Sequence, residues 1–362
     1  MNKALPWTPE PSSGQPLVSV ILFCRNAEKT LRRSIESLAG QTYKNFEYVV
    51  QDAASTDGTL DIIKSYADRL SIRLVSAPDA GPADGFWRAI QRCQGDIVAT
   101  CLADEELMPD ALESAARIFN ERPYLGAITG DAFVTDASGN TLSTHKGEPF
   151  SFARYLAGEY CPYWSSSFFS MQALRTVGLF QSRWSADSLE FEIWCRLAED
   201  YEILYTPKIL SKYAIHPEQL SNQGIRALTE LNSRSTIIRE HVFRRDGVFG
   251  EEAFMWRDRC IFLQQINLLQ HLIAYKRPEA EVLAKKIGSS PMMSDLASGL
   301  APHNAMSYDA IVAAVYGRGP LRYYRYALAL LYRSIVPTYI RARITPEQKA
   351  RLRRLLGMPR TL

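Results

Sequence analysis

The chain has 362 residues, 46% of them hydrophobic and 22% charged, with 42 Lys and Arg against 39 Asp and Glu for a net charge of +3. It is too apolar and too evenly charged to be disordered, and at about 150 residues per domain its length provides for roughly two domains. So small a net charge gives no support to nucleic-acid binding.

Residues 1–15 are rich in Pro, Ser and Gly and carry no apolar h-region, so they read as a flexible lead-in and not as a signal peptide. Residues 17–24 (LVSVILFC) form a continuous apolar run, the pattern of a strand buried on both faces. Leu31, Ile35 and Leu38 then share one face of a helix over 27–40. A second strand over 46–51 ends at Asp52, and a helix over 57–70 follows with Asp57 as N-cap. A strand at 71–77, a helix at 82–94 and a strand at 96–102 continue the alternation, which specifies an α/β domain with a mainly parallel sheet. Residues 125–144 read as a hairpin around DASGN. A helix over 185–199 turns Phe191, Trp194 and Cys195 to a core, and 202–216 (EILYTPKILSKYAIH) reads as two short strands. From about 222–226 onward only helical patterns appear, clearest over 261–275, with packing on the first domain or oligomerisation as their expected role.

Cys24, Cys93, Cys101, Cys161, Cys195 and Cys260 form no C-x-x-C pair, and most lie in apolar runs. They read as reduced, buried thiols of a cytosolic protein. The apolar run at 326–332 has seven residues, far short of the roughly 20 needed to span a bilayer.

Ligands of such sheets bind beyond the carboxyl ends of the strands. Those ends carry Cys24-Arg25-Asn26, then Asp52 with Ser55, Thr56 and Asp57, then Asp79 with Asp84, then Asp104-Glu105-Glu106. Any single carboxylate there is an ordinary turn or cap residue. Crowded on one edge, they call for a cation or a donor-rich ligand.

The run VSVILFCRNAEKTLRRSIESLAGQTYKNFEYVVQDAASTDGTLDII resembles the opening of family 2 glycosyltransferases with the GT-A fold. The likeness continues through DAGPADGFWRAI, GDIVATCLADEELMPDAL, GDAFVTDASGNTL, FEIWCRLA and HPEQLS, covering about residues 16–222. It implies a GT-A domain over 16–224 and a helical region over 225–362. It also implies a nucleotide-sugar donor, a UDP-sugar by preference, held by Asn26, Asp52, Asp84, Arg88 and Asp104, with Asp52 accepting from the base. For Arg88 the alternative is a solvated helix face. The D-x-D-like element falls on Asp104-Glu105 and the closing His element on His216, implying Mn²⁺ or Mg²⁺ on Asp104, Glu105 and His216. The pair is Asp-Glu where two Asp are usual, and Leu102 stands where a polar residue is common. The alternative is that Asp104-Glu105-Glu106 caps the helix beginning near Pro109. His145, His241, His271 and His303 have no such context.

The same resemblance implies single displacement with inversion, a carboxylate taking the acceptor's proton. Glu190 is favoured as that base, Asp187 is the alternative, and Glu192 stands behind both; the plainer reading of Glu192 is an i,i+4 pair with Arg196. Trp164, with Tyr163 and Tyr160, occupies the acceptor-side position, where core packing is the plainer use of an aromatic residue.

Residues 318–362 hold eleven basic residues and one acid, net +10, which leaves −7 for the rest. A basic tail on an acidic body suits an anionic membrane surface, although a helix with its Arg face in water has the same pattern. The expected protein is a glycosyltransferase at the cytoplasmic membrane face, passing sugar to a glycan or lipid-linked acceptor in surface polysaccharide or glycoconjugate synthesis. The alternative is a non-catalytic nucleotide- or glycan-binding module on the same scaffold. No G-x-G-x-x-G follows the first strand, which sets a dinucleotide oxidoreductase aside.

Overall fold

The computed structural model of the chain describes residues 14–156, 160–179 and 188–216, with 229, 231–238, 261, 264, 265, 268, 279 and 283. Two compact units are present, one of Met1–Phe152 with Pro162–Pro217, the other of Ala153–Cys161 with Glu218–Leu362. The sequence puts the boundary near 222–226 and does not anticipate that Ala153–Cys161 joins the second unit.

The first unit begins with the expected alternation: β1 (Val18–Cys24), α1 (Leu31–Ala39), β2 (Phe46–Asp52), α2 (Thr59–Lys64), β3 (Ile72–Ser76), α3 (Pro82–Ile90) and β4 (Ile97–Thr100). Strands β3, β2, β1 and β4 lie side by side and parallel. Their carboxyl ends therefore share one edge. Alternation along β1 divides its side chains between two layers. Val18, Val20 and Leu22 join Leu31, Ile35 and Leu38 of α1 in the main core. Phe23 points to the other face and meets Phe86 of α3 edge to face at 6.2 Å.

The helices are shorter than their apolar patterns. Gly58, not Asp57, occupies the N-cap position of α2, yet the Asp57 carboxylate accepts from the Thr59 N–H at 3.0 Å and so still closes that helix end. Residues 104–107 do not cap a helix. They contain β5 (Glu105–Leu107), antiparallel to the last strand, and α4 (Ala111–Glu121) follows.

Strands β6 (Leu125–Thr135) and β7 (Thr141–His145) form the expected hairpin. After α5 (Phe152–Leu156) come a 3-10 turn at Trp164–Ser166, β8 (Ser167–Ser170), α6 (Met171–Thr176) and α7 (Leu189–Asp200). The two short strands expected over 202–216 are one strand, β9 (Glu202–Ala214). Its pairing with β6 shifts between Thr129 and Asp131, so residues 206–208 oppose Gly130 alone. Pro207 lacks a ladder N–H and sits in that bulge. Gly130 is required there, since a Cβ would lie 2.7 Å from the Lys208 carbonyl oxygen and 2.5 Å from Leu210. The full sheet order is β3-β2-β1-β4-β8-β6-β9-β5, with β7 on β6.

In the second unit, buried Leu231, Ile237, Ile238, Ile261 and Leu283 lie at helical positions, and Gln264 donates to the Leu156 carbonyl at 3.2 Å. Among the described residues no helix is long and apolar enough to cross a membrane. The basic tail 318–362 lies outside the described residues.

Candidate active site

The loops after β1 and β2 are tied into one body. Asn26 takes a φ of 52° and accepts from the Thr56 N–H at 2.9 Å, while its own N–H donates to the Ser55 hydroxyl at 2.8 Å. The Ala27 N–H donates to the Thr59 hydroxyl, the Glu28 N–H to Asp57, and the Gly58 N–H back to the Glu28 carboxylate. Asp52, 0% exposed, accepts from the Ser55 N–H at 3.0 Å, the Ser55 hydroxyl and the Ser76 hydroxyl at 2.6 Å. Ser55 and Ser76 thus fix the carboxylate, a role the sequence did not single out. Cys24 Sγ lies 4.0 Å from Asp52. Burial first, then the negative charges of Asp52, Asp57 and Asp79, push its thiol up to about 12, so Cys24 is an inert filler amid carboxylates. Burial likewise pushes Cys93 and Cys101 up to about 12, and Cys161 differs from expectation in being exposed.

Asp84 and Arg88 are one turn apart on α3 and pair at 2.8 Å. Asp84 also accepts from the Ala80 N–H at 2.9 Å, and Arg88 donates to the Pro78 carbonyl at 3.0 Å. The Ala80 N–H and then the Arg88 guanidinium hold the Asp84 carboxyl below its usual range. Together the pair clamps the loop after β3 onto α3.

At the next strand end, pairing of β5 with β9 joins residues more than a hundred positions apart. The Ala214 N–H donates to the Asp104 carbonyl at 3.1 Å, and His216 Nε2 comes within 3.3 Å of Asp104 Oδ2. The two side chains are 22% and 20% exposed, a carboxylate oxygen and an imidazole nitrogen side by side. Glu105 is turned inward, 4% exposed, its carboxyl accepting from the Leu102 N–H at 2.8 Å. Burial first, then the charge of Asp104, pushes it up to about 8, with Glu190 adding in the same direction. Glu190, in the first turn of α7, therefore lies within electrostatic reach of the Asp104-Glu105 element. Glu192 is buried and ion-paired with Arg196 at 2.6 Å, so it serves α7 itself. Asp187 lies outside the described residues. Among the described residues no three His, Cys, Asp or Glu side chains cluster as a complete metal cage.

On the remaining side, Trp164 packs among Phe86, Phe169 and Trp194, with ring centroids 6.1, 4.9 and 6.4 Å away. Phe169 and Trp194 are buried against it, and Phe191 is buried as well, as the helical spacing of α7 predicts for Phe191 and Trp194. Tyr163 turns the other way, stacking on His145 at 4.1 Å and meeting Tyr213 edge-on at 5.6 Å. Tyr160 belongs to the second unit, where it meets Tyr155.

Residues 19–173 match the family model described as Glycosyl transferase family 2. EpsE of Bacillus subtilis (strain 168) is 35% identical over 127 residues, 34% of this chain and 46% of that protein. Chondroitin synthase of Escherichia coli is 26% identical over 208 residues, 57% of this chain and 30% of that protein. The chain thus spans less than half the length of these two relatives. Among solved structures, mannosyltransferase PcManGT from Pyrobaculum calidifontis, in complex with GDP-Man and Mn²⁺, has a TM-score of 0.50 at 19% identity. That match covers 92% of this chain and 89% of the other, and it is a likeness of fold.

Proposed function

We propose, from a chain whose residues 19–173 are a family 2 glycosyltransferase domain of the GT-A fold, that it moves a sugar from a nucleotide-sugar donor to an acceptor hydroxyl with inversion. The observation that carries this reading is the meeting of Asp104 with His216 at the carboxyl edge of the sheet, with the Glu190 carboxylate in range. Acidic groups gathered at the ends of parallel strands fit a cation-dependent anionic ligand better than a structural cap.

The donor nucleotide lies on the interlocked loops of β1 and β2. Asn26 shapes that surface, and Asp52, 0% exposed, acts on the base through the Ser55 and Ser76 hydroxyls it holds. Asp84 and Arg88 hold the third wall. UDP is the favoured nucleotide. Asp104 and His216 would hold a divalent cation, Mn²⁺ or Mg²⁺, through one hard carboxylate oxygen and one imidazole nitrogen. Glu105, the third ligand the resemblance implies, is turned inward with its carboxyl bound to the Leu102 N–H. The cation's chemistry there is neutralisation of charge on the leaving diphosphate.

In the transfer step the acceptor oxygen attacks the anomeric carbon, whose bond to the diphosphate oxygen breaks with its electron pair leaving on the diphosphate. Glu190 takes the acceptor's proton, and Asp187 is the second candidate for this role. The acceptor is a hydroxyl of a glycan or of a lipid-linked saccharide, with residues 318–362 as contact to an anionic membrane surface. The test is nucleotide release from UDP-, GDP- and dTDP-sugars with and without Mn²⁺. Release with one donor, abolished in Asp104→Ala, supports the proposal. Failure to bind or turn over any donor overturns it.

One observation favours a second reading, a binding module without turnover: the inward-facing Glu105 leaves Asp104 as the sole outward carboxylate of its element. Calorimetric donor binding with no sugar transfer or hydrolysis would decide for it.

A further inference from the structure

Three rings from three separate elements meet beside the Asp104 element. His145 ends β7, Tyr163 precedes the 3-10 turn, and Tyr213 lies in β9. Tyr163 stacks on His145 at 4.1 Å with 32° between planes and meets Tyr213 nearly perpendicularly at 5.6 Å. All three side chains are only partly buried, unlike Phe169 and Trp194 under Trp164.

The support under this group is built of hydrogen bonds. The Ser167 hydroxyl donates to the Tyr163 carbonyl at 2.6 Å. Ser165 and Ser166 meet Ser211 at 3.0 and 2.6 Å, which ties the 3-10 turn to β9. Asp131 accepts from the Gly147 N–H and the Tyr205 hydroxyl, both at 2.8 Å, and fixes the chain just after His145. The rings are therefore held in place by their own elements before any ligand arrives.

The position is specific. Tyr213 is the register partner of Glu105, the Ala214 N–H holds the Asp104 carbonyl, and His216 lies two residues further on. Tyr213 thus stands on the strand that leads to His216, apart from the loops of β1 and β2.

We infer that His145, Tyr163 and Tyr213 form a preformed platform for a pyranose ring of the acceptor, packed by the apolar C–H face of the sugar. This inference rests on the glycosyltransferase reading for its acceptor. The chemistry is the ordinary one of an amphipathic ligand. A pyranose has one C–H face for a ring and a rim of hydroxyls for a phenol or imidazole edge. Burial lowers the proton affinity of His145 below its usual value, with the nearby Asp131 and Glu148 charges opposing. The imidazole stands neutral near pH 7 and offers a ring nitrogen to that rim.

The experiment uses the full chain with Mn²⁺ and a nucleotide, UDP or GDP, and a panel of methyl glycopyranosides of glucose, galactose, mannose and N-acetylglucosamine. Saturation-transfer NMR reads pyranoside contact, and calorimetry reads nucleotide binding. The expected result is transfer to the C–H protons of one face of at least one pyranoside. Its dissociation constant should rise about fivefold or more in Tyr163→Leu and in His145→Ala, and stay within about twofold in Tyr163→Phe, which keeps the ring. His145→Ala lies at the end of an edge strand and guards against a folding failure of the Tyr163 variant. Nucleotide binding without pyranoside contact overturns the platform, and so does contact that ring removal leaves unchanged. Ring removal that weakens an intact nucleotide-sugar relative to its nucleotide, with no free pyranoside bound, assigns the rings to the donor sugar and overturns the acceptor assignment. Pyranoside binding without nucleotide binding upholds the platform and removes the transferase reading instead.

Discussion

At the ends of β1 and β2 each of these carboxylates is answered by nearby donors: Asp52 by Ser55 and by Ser76 of β3, Asp57 by Thr59 and Glu28, Glu28 by Gly58. At the ends of β4 and β9 the carboxylates of Asp104, Glu105 and Glu190 act on one another, and Glu105 is pushed up to about 8. The first region is complete without a ligand and suits recognition with little reorganisation. In the second, like charges raise the proton affinity of Glu105, the condition in which a cation gains most.

The sharpest way to break this contrast is to remove charge from the second region. Glu190→Gln and Asp104→Ala should each lower turnover on the order of 10³-fold, the scale of a lost base or electrostatic group. Nucleotide release by Glu190→Gln should fall through kcat, with donor KM nearly unchanged. A near-normal kcat for Glu190→Gln moves the base to another carboxylate, Asp187 first.

Glu105 gives the next largest effect, and it is one of pH. Its folded-state pKa of about 8 lies above the usual 4.5, and burial is the first cause. Below 4.5 both folded and unfolded chains hold the proton, and stability is undiminished. Between 4.5 and 8 the unfolded chain releases it while the folded chain retains it, so stability falls as pH rises through that window. The loss by pH 8 is on the order of 4 kcal/mol. Glu105→Gln should remove that slope. Denaturant midpoints at pH 5, 6.5 and 8, followed by fluorescence of the buried Trp194, compare the two chains. Parallel slopes would show that Glu105 is ionised in the folded state.

In the first region the corresponding change acts on stability. Asp52→Asn can keep an oxygen for the Ser55 N–H and the Ser76 hydroxyl only by turning its amide N–H₂ against the Ser55 hydroxyl, which now donates to the other carboxylate oxygen. It should cost about 2 kcal/mol, the scale of a buried donor left unsatisfied. A midpoint within error of the parent would mean that the loop is held by Asn26 and Asp57 alone.

The two regions also differed in how legible they were. Strands β1, β2 and β4 are parallel and largely buried on both faces, so apolar residues dominate them and their polar ends stand out. The second region depends on β5 and β9. Three residues beginning Glu105-Glu106 do not look like a strand, and β5 exists because β9 pairs with it. Pro207 and Lys208 look like a break in β9, yet the bulge against Gly130 absorbs them. The meeting of Asp104 with His216 follows from that pairing, and only a family resemblance, not local pattern, pointed to it. His145 carried no signal at all, because its partners Tyr163 and Tyr213 are distant in sequence.

The smallest prediction sharpens the account of the first region. Asn26 and Ala54 have nearly the same φ, 52° and 54°, in loops that lock together. Asn tolerates the left-handed region, and here its side chain also accepts from the Thr56 N–H. Ala gains nothing from it and carries the steric cost of its Cβ, about 1 kcal/mol. Glycine at either position removes the Cβ and adds entropy to the unfolded chain. Ala54→Gly should therefore stabilise by about 0.5 kcal/mol, the strain relieved less the entropy gained by the unfolded state. Asn26→Gly should destabilise by roughly 1 kcal/mol, because the Thr56 N–H loses its acceptor with no strain to relieve. Opposite signs at equal φ, read from denaturant midpoints, would establish that side-chain hydrogen bonds and not backbone shape hold these loops. Equal signs would assign the loops' rigidity to their conformation, and the contrast with the Asp104 side would then rest on charge alone.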